Sequence, residues 1–274
     1  MKRRSFLQHS GFAVGGSGGV LVSKETRLSK ADDVVSEEDS PRRVLVTSGH
    51  SVLAQKIADA LDVDYEVQLT APSEISTRHP FTRSGLGHDK TTNTLVRGID
   101  AIVHVAKPPV EASEEDQIDY RTRGTYNLLR AAADERVRHV LYLGSLEMFA
   151  GYDEDFEVTE DWRPLPSDDA RVLSQYLGEF TCREFAREGQ IGVVVLRLGR
   201  IVQAEEVGEK SLDPMEVSQR DVVQAVYKAL GARLSGKGPL ARAWSVFHIQ
   251  SGSPQARFTS ARASSAFGYA PQFS

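Results

Sequence analysis

Ser145, Arg171 and Gln175 of this 274-residue chain are residue types able to contact a ligand. Arg171 and Gln175 stand four positions apart, which on a helix sets them on one face. An arginine keeps its charge at every relevant pH and presents a planar fork of donors. It therefore grips carboxylate or phosphate and cannot accept a proton. Gln175 adds a neutral amide able to bond a hydroxyl, and Ser145 adds a hydroxyl just after an apolar run. Three further cations share the pattern: Lys107 and Arg200 each follow an apolar run, and Arg121 precedes a helical one. If the runs are parallel strands, all of these positions face the carboxyl ends of the sheet, where open α/β sheets bind ligands. The chemistry they offer is capture of a small anion, in a cleft lined by Lys107, Arg121, Arg171 and Arg200. Four independent surface charges paired with Asp and Glu are the alternative.

A second segment could meet phosphate through its backbone. Thr47-Ser-Gly-His-Ser-Val-Leu-Ala54 follows an apolar run and opens a helical pattern. Small residues there permit a tight strand-to-helix turn, and the free N–H groups and dipole of a helix start attract an anion. Thr47, Gly49, Ser51, Val52 and Leu53 are the expected contacts, with Ala106, Lys107 and Arg121 facing them. An ordinary strand-to-helix turn is the competing reading.

The elements that must carry these groups alternate. Apolar runs at 43–47, 65–70, 101–106, 139–143, 191–197 and 244–249 read as strands. Helical patterns fill 52–61, the segment bearing Tyr126, Leu128, Leu129 and Ala132, the segment 170–179 and 221–230. This alternation is the βαβ signature of a doubly wound parallel sheet, the Rossmann arrangement, here with a short C-terminal cap. With 40% hydrophobic and 26% charged residues, the chain can bury one sizeable core. A formal charge of -5 gives no reason to expect nucleic acid as a partner. The lone Cys182 excludes an internal disulfide framework and a multi-cysteine metal site, and its helical setting reads as a buried thiol.

Several segments resemble the extended short-chain dehydrogenase/reductases of the NAD-dependent epimerase/dehydratase family. Ala170-Arg-Val-Leu-Ser-Gln-Tyr-Leu-Gly-Glu179 looks like that family's catalytic helix, Tyr-Gly-Leu-Ser-Lys-Leu-Leu-Gly-Glu. In that frame the catalytic Tyr falls on Arg171 and the Lys on Gln175, while Ser174, Leu177, Gly178 and Glu179 are kept. The runs at 97–106, 123–132, 138–149, 220–226 and 267–274 resemble further family patterns in the family's order. The resemblance implies NAD or NADP as cofactor. It makes Ser145 the substrate-bonding serine and sets the glycine positions of the phosphate turn on Ser48, Ser51 and Ala54. Ala71 and Gly85 stand where the family has cofactor-binding carboxylates. Arg78 and Arg83, downstream, could favour the extra phosphate of NADP. None of the eight tyrosines is followed by Lys at the fourth position. Tyr176, five residues past Arg171, lies about 140° around the helix from it.

Three functions follow as expectations. The first is a divergent NAD(P)-binding protein without the Tyr–Lys pair. The second is a working oxidoreductase or epimerase on a small sugar acid, compact like the uronate dehydrogenases. The third is a cofactor-free binding or scaffold protein. The family resemblance also implies a homodimer. Residues 1–42 read separately: Lys2-Arg-Arg-Ser-Phe-Leu-Gln8 resembles a twin-arginine export signal and is followed by a weakly apolar, glycine-rich run and a polar linker. That run is less apolar than the ~20-residue span a bilayer requires, so no membrane span is expected after signal removal. Export to the periplasm is the expectation, with a cytoplasmic protein as the alternative; 43–274 forms the Rossmann domain and its cap.

Overall fold

The computed structural model describes residues 42–203, 215–236, 238–252 and 256–272. The expectations for the N-terminal signal and for the segment 204–214 lie outside the described residues.

A seven-stranded parallel sheet runs in the order β3-β2-β1-β4-β5-β6-β9. Its strands are β1 (Arg43–Val46), β2 (Glu66–Ala71), β3 (Phe81–Arg83), β4 (Ala101–His104), β5 (His139–Ser145), β6 (Gly192–Leu198) and β9 (Trp244–Ile249). A separate parallel pair joins β7 (Arg200–Val202) to β8 (Glu216–Ser218). The central strands are buried on both faces by helices, which is why they read as unbroken apolar runs. The chain order reverses between β1 and β4, so the crevice between these two strands is the topological switch point.

The helices are α1 (Val52–Leu61), α2 (Lys90–Val96), α3 (Glu114–Asp119), α4 (Thr125–Asp134), α5 (Ala170–Arg187), α6 (Gln219–Leu234) and α7 (Ala261–Phe267). In α1 the buried residues Leu53, Ala54, Ile57, Ala58 and Leu61 form one apolar stripe. It packs with Val44, Val46, Leu196 and α6 on one side of the sheet. On the other side Leu128, Leu129, Ala132, Cys182 and Ala186 of α4 and α5 cover Leu45, Ile102, Val140 and Val193. Cys182 is a free buried thiol, and burial raises its pKa well above the usual thiol range. A third cluster of Leu146, Met148, Phe149, Val158, Val172 and Phe258 lies apart from these two.

The six expected strands and the long helices are present. The short elements β3, α2, β7 and β8 are not visible in the sequence pattern, for a physical reason. Elements this short cannot show a period, and they are placed by contacts outside themselves. Leu69 donates to the Pro80 carbonyl at 2.8 Å, setting β3, and the Asp89 carboxylate caps α2 by accepting from Thr92 N at 2.9 Å.

Candidate functional site at the carboxyl edge of the sheet

The β1–α1 connection is a tight strand-to-helix turn. Ser48 takes a left-handed backbone, with φ at 59°, where the resemblance expects glycine. At Gly49 a Cβ would stand 3.0 Å from Ile75 Cδ1 and 3.3 Å from Leu69 Cβ, so the glycine sits where space is short. Ser51 caps α1, its hydroxyl accepting from Ala54 N at 3.2 Å, as a helix start prefers. The amides of Val52 and Leu53 remain as the donors of the first turn. Thr47 is fully buried. Its hydroxyl meets His104 Nδ1 at 2.8 Å and accepts from Val105 N at 3.0 Å. His104 Nε2 in turn lies 2.9 Å from Thr125 Oγ1. Full burial disfavours the charged imidazole and pulls its pKa down to about 3.

Across the switch point the β4–α3 loop folds onto this turn. Ala106 is also left-handed, with φ at 52°, which brings Lys107 N to 3.0 Å from Ser48 Oγ. The Tyr120 hydroxyl closes the same contact 3.1 Å from Ser48 Oγ, and burial raises its pKa to about 12. The hydroxyl of Ser48 thus ties β1, β4 and the helix after β4 together. A cavity of about 550 Å³ lined by Pro72, Gly85, Leu86, Tyr120 and Asn127 lies on one side of this contact. A cleft of about 470 Å³ lies on the other.

That cleft gathers most of the residues singled out from the sequence. Leu53, Ala106, Lys107, Arg121, Ser145, Arg171, Gln175 and Arg200 all line it. Thr47, Gly49, Ser51 and Val52 stay in the turn beside it. All four expected cations meet here, and each has its own setting. Arg121 lies in a π-helical turn, Tyr120–Gly124, that joins α3 to α4; such turns place side chains where a regular helix would not. It is 6% exposed and donates to Ser174 Oγ at 3.2 Å and Gln117 Oε1 at 3.4 Å. Burial is the main influence pulling its pKa down from the usual value, and the charge of Arg171 adds to it. Arg200 pairs with Glu216 at 3.5 Å, and Lys107 is exposed at the rim. Arg171 donates to Glu147. The Oε1 atom of Gln175 is buried without a hydrogen-bond partner among the described residues, an acceptor left for a ligand or water.

Glu147 is the residue that sequence reasoning missed. It is the single carboxylate among the described lining residues of the cleft. Ser145 caps the 3₁₀ turn Leu146–Phe149, its hydroxyl accepting from Glu147 N at 3.1 Å and lying 3.4 Å from Glu147 Oε2. The only local signal is the spacing Ser145-x-Glu147. A second cavity of about 390 Å³, lined by Ala150, Gly151, Leu165, Ser167, Val172 and Met215, shares Glu147, Arg171 and Arg200 with the cleft. The Arg171–Glu147 pair is therefore a common wall. A larger cavity, about 970 Å³ along α5 and β9 with Trp162, Arg183 and Trp244, contains none of the expected site residues.

Ser174, Gly178 and Glu179, kept from the helix motif, serve packing. Ser174 accepts from Arg121. A Cβ at Gly178 would stand 2.7 Å from the Arg121 carbonyl, so glycine lets α5 close on the π-helical turn. Glu179 pairs with Arg197 at 2.6 Å, their side chains 7% and 6% exposed. Arg78 and Arg83 lie outside the cleft: Arg78 pairs with Asp59 at 3.0 Å and Asp62 at 3.5 Å, and Arg83 donates to the Pro72 carbonyl at 3.0 Å.

The sequence pattern of the NAD dependent epimerase/dehydratase family matches residues 44–213. The chain belongs to this family. A Bacillus subtilis protein described as uncharacterised, YtbQ, is 23% identical over 180 residues, 60% of this chain and 70% of its own length. Among solved structures, a short-chain dehydrogenase/reductase superfamily protein from Agrobacterium tumefaciens with bound NAD superposes with a TM-score of 0.71. It is 18% identical, over 85% of this chain and 93% of that one. The uronate dehydrogenase of the same organism gives 0.68 at 20% identity, covering 84% of each chain. At these identities the likeness is one of fold, and it matches the seven-stranded sheet described above.

Proposed function

We propose that this chain is a divergent member of the epimerase/dehydratase family. In this reading it binds NAD or NADP and a small anionic ligand in one cleft, without the family's Tyr–Lys proton relay. One observation carries the reading: Lys107, Arg121, Arg171 and Arg200 converge on a single cleft at the carboxyl edge of the sheet. In that cleft Arg171 and Gln175 hold the positions that the resemblance gives to Tyr and Lys.

The residues present fit a dinucleotide in part. The amides of Val52 and Leu53 at the start of α1 suit a pyrophosphate, and the unpartnered Gln175 Oε1 suits a ribose hydroxyl. Ala71 and Gly85 supply no carboxylate at the adenosine end. A bound nicotinamide would supply hydride transfer. The chain's own groups would orient and neutralise the anion, since guanidinium cannot take a proton. The solved neighbour with bound NAD supports the cofactor half of the proposal, and the uronate dehydrogenase supports a small sugar acid as the anion.

Calorimetric titration of the full chain with NAD, NADH, NADP, NADPH and glucuronate tests it. Arg171→Ala with Arg121→Ala should weaken anion and nucleotide binding; unchanged affinity for both would remove the basis of the proposal. One observation favours a working oxidoreductase instead, the carboxylate of Glu147 at 3.4 Å from Ser145 Oγ, and hydride transfer on a uronate or aldose would decide for it. Export through the twin-arginine-like N-terminus belongs to the same proposal. So does a homodimer, for which the exposed aromatics Tyr126 on α4 and Phe180 on α5 offer a surface.

A further inference from the structure

Glu147 sits in the middle of a basic cleft and holds two of its donors at once. Its carboxylate accepts from the Arg171 guanidinium and lies 3.4 Å from the Ser145 hydroxyl. Arg171 and Glu147 line both neighbouring cavities, and Ser145 lines the larger of the two. The pair is not part of the rigid core: the Arg171 side chain is 48% exposed and that of Glu147 23%. The buried pair Arg197–Glu179 on the same helix shows the contrast, at 6% and 7%. An ion pair with this much solvent contributes little to folding, so its partners are free to exchange.

We propose that Glu147 is a built-in stand-in for the ligand's carboxylate. It occupies the Arg171–Ser145 subsite until a small carboxylate displaces it. The occupant already there states the chemistry of the subsite: a carboxylate accepting from one planar guanidinium and one hydroxyl. Displacement leaves Glu147 to turn towards water, while Lys107, Arg121 and Arg200 keep the incoming charge neutralised. The ligand is thus a carboxylic acid small enough for about 470 Å³, with the adjoining cavity of about 390 Å³ to receive the rest of it. This inference rests on the anion-binding reading above and goes further by naming the residue that opposes binding.

The test is calorimetry on the full chain with D-glucuronate, inorganic phosphate and D-glucose. The proteins compared are the unaltered chain, Glu147→Gln and Arg171→Ala. Glu147→Gln keeps size and removes the competing charge, and its thermal midpoint reports whether the fold is kept. It should tighten glucuronate binding roughly tenfold, the scale of one charge-assisted hydrogen bond, and leave glucose unchanged. Arg171→Ala should abolish the gain when combined with Glu147→Gln. Glucuronate binding that is equal or weaker in Glu147→Gln overturns the inference while the anion-binding reading stands. A gain for phosphate exceeding that for glucuronate overturns the assignment to carboxylates. Binding of neither anion to any of the proteins removes both the inference and the reading beneath it.

Discussion

Two sets of residues along one face of α5 have met opposite fates. Ser174, Gly178 and Glu179 match the family pattern and are locked in place by Arg121, by the approach of the π-helical turn and by Arg197. Arg171 and Gln175, interleaved with them and lining the cleft, stand where the resemblance expects Tyr and Lys. A motif therefore has separable parts. Residues that let a helix pack are fixed by the sheet and its neighbours, which this chain retains, whereas residues that act on a ligand are fixed only by the ligand. The β1–α1 turn repeats the pattern. Its left-handed backbone and capped helix suit the tight strand-to-helix turn the resemblance expects, while the Ser48 side chain ties it to Lys107 and Tyr120.

The packing set is where a single substitution should cut deepest. Glu179→Ala leaves the Arg197 guanidinium buried without its carboxylate and should cost about 3–5 kcal/mol of unfolding free energy. Urea denaturation measures it; a loss below about 1 kcal/mol, the scale of an exposed pair, would erase the distinction between the two sets of residues.

Acid should weaken the fold through two buried histidines. Burial holds both His104 and His248 at about 3, below the ordinary imidazole value of 6.5. The unfolded chain binds a proton near 6.5 that the folded chain refuses, so stability is full above that pH and falls as pH drops towards 3. Each histidine contributes a loss of about 1.4 kcal/mol per pH unit within that window. Nuclear magnetic resonance titration checks the premise. Neither imidazole should protonate above a pH of about 4 while the chain is folded, and ordinary titration of His104 would refute it.

A weaker response is expected at the switch point. Ser48→Gly removes the hydroxyl that holds the β4–α3 loop, keeps a residue at ease with positive φ, and frees the crevice. Affinity for NAD should rise by a factor of about 2 to 10, the scale of one ordinary hydrogen bond. Equal affinity in the two proteins would show that the contact does not restrict the crevice. Least of all should change at the cleft residues of α5, where Gln175→Ala should shift stability by no more than about 0.5 kcal/mol in the same urea assay.

Much of this architecture is legible in the sequence. Strands buried on both faces read as continuous apolar runs, and α1 shows its stripe at Leu53, Ile57 and Leu61. The four cations are legible too, because their positions after strands or in helices aim them at one edge. Glu147 is not. Two residues after Ser145 it reads as an ordinary residue in a capped turn, and only contact with Arg171, 24 positions away, gives it a role. The hydroxyl of Ser48 is hidden for the same reason, since its partners lie 59 and 72 positions along the chain. Contacts of that range are set by how the strands stack, and local pattern carries no trace of them.

What sets this chain apart is a cleft proposed to bind without the family's proton relay, and one experiment addresses both halves of that statement. The full chain is mixed with NAD and D-glucuronate, binding is followed by calorimetry, and the absorbance of reduced nicotinamide is recorded alongside. Heat of binding is expected for both ligands, with no formation of reduced nicotinamide. Steady turnover to reduced nicotinamide, abolished by Glu147→Gln, would overturn the proposal and make Glu147 the working base.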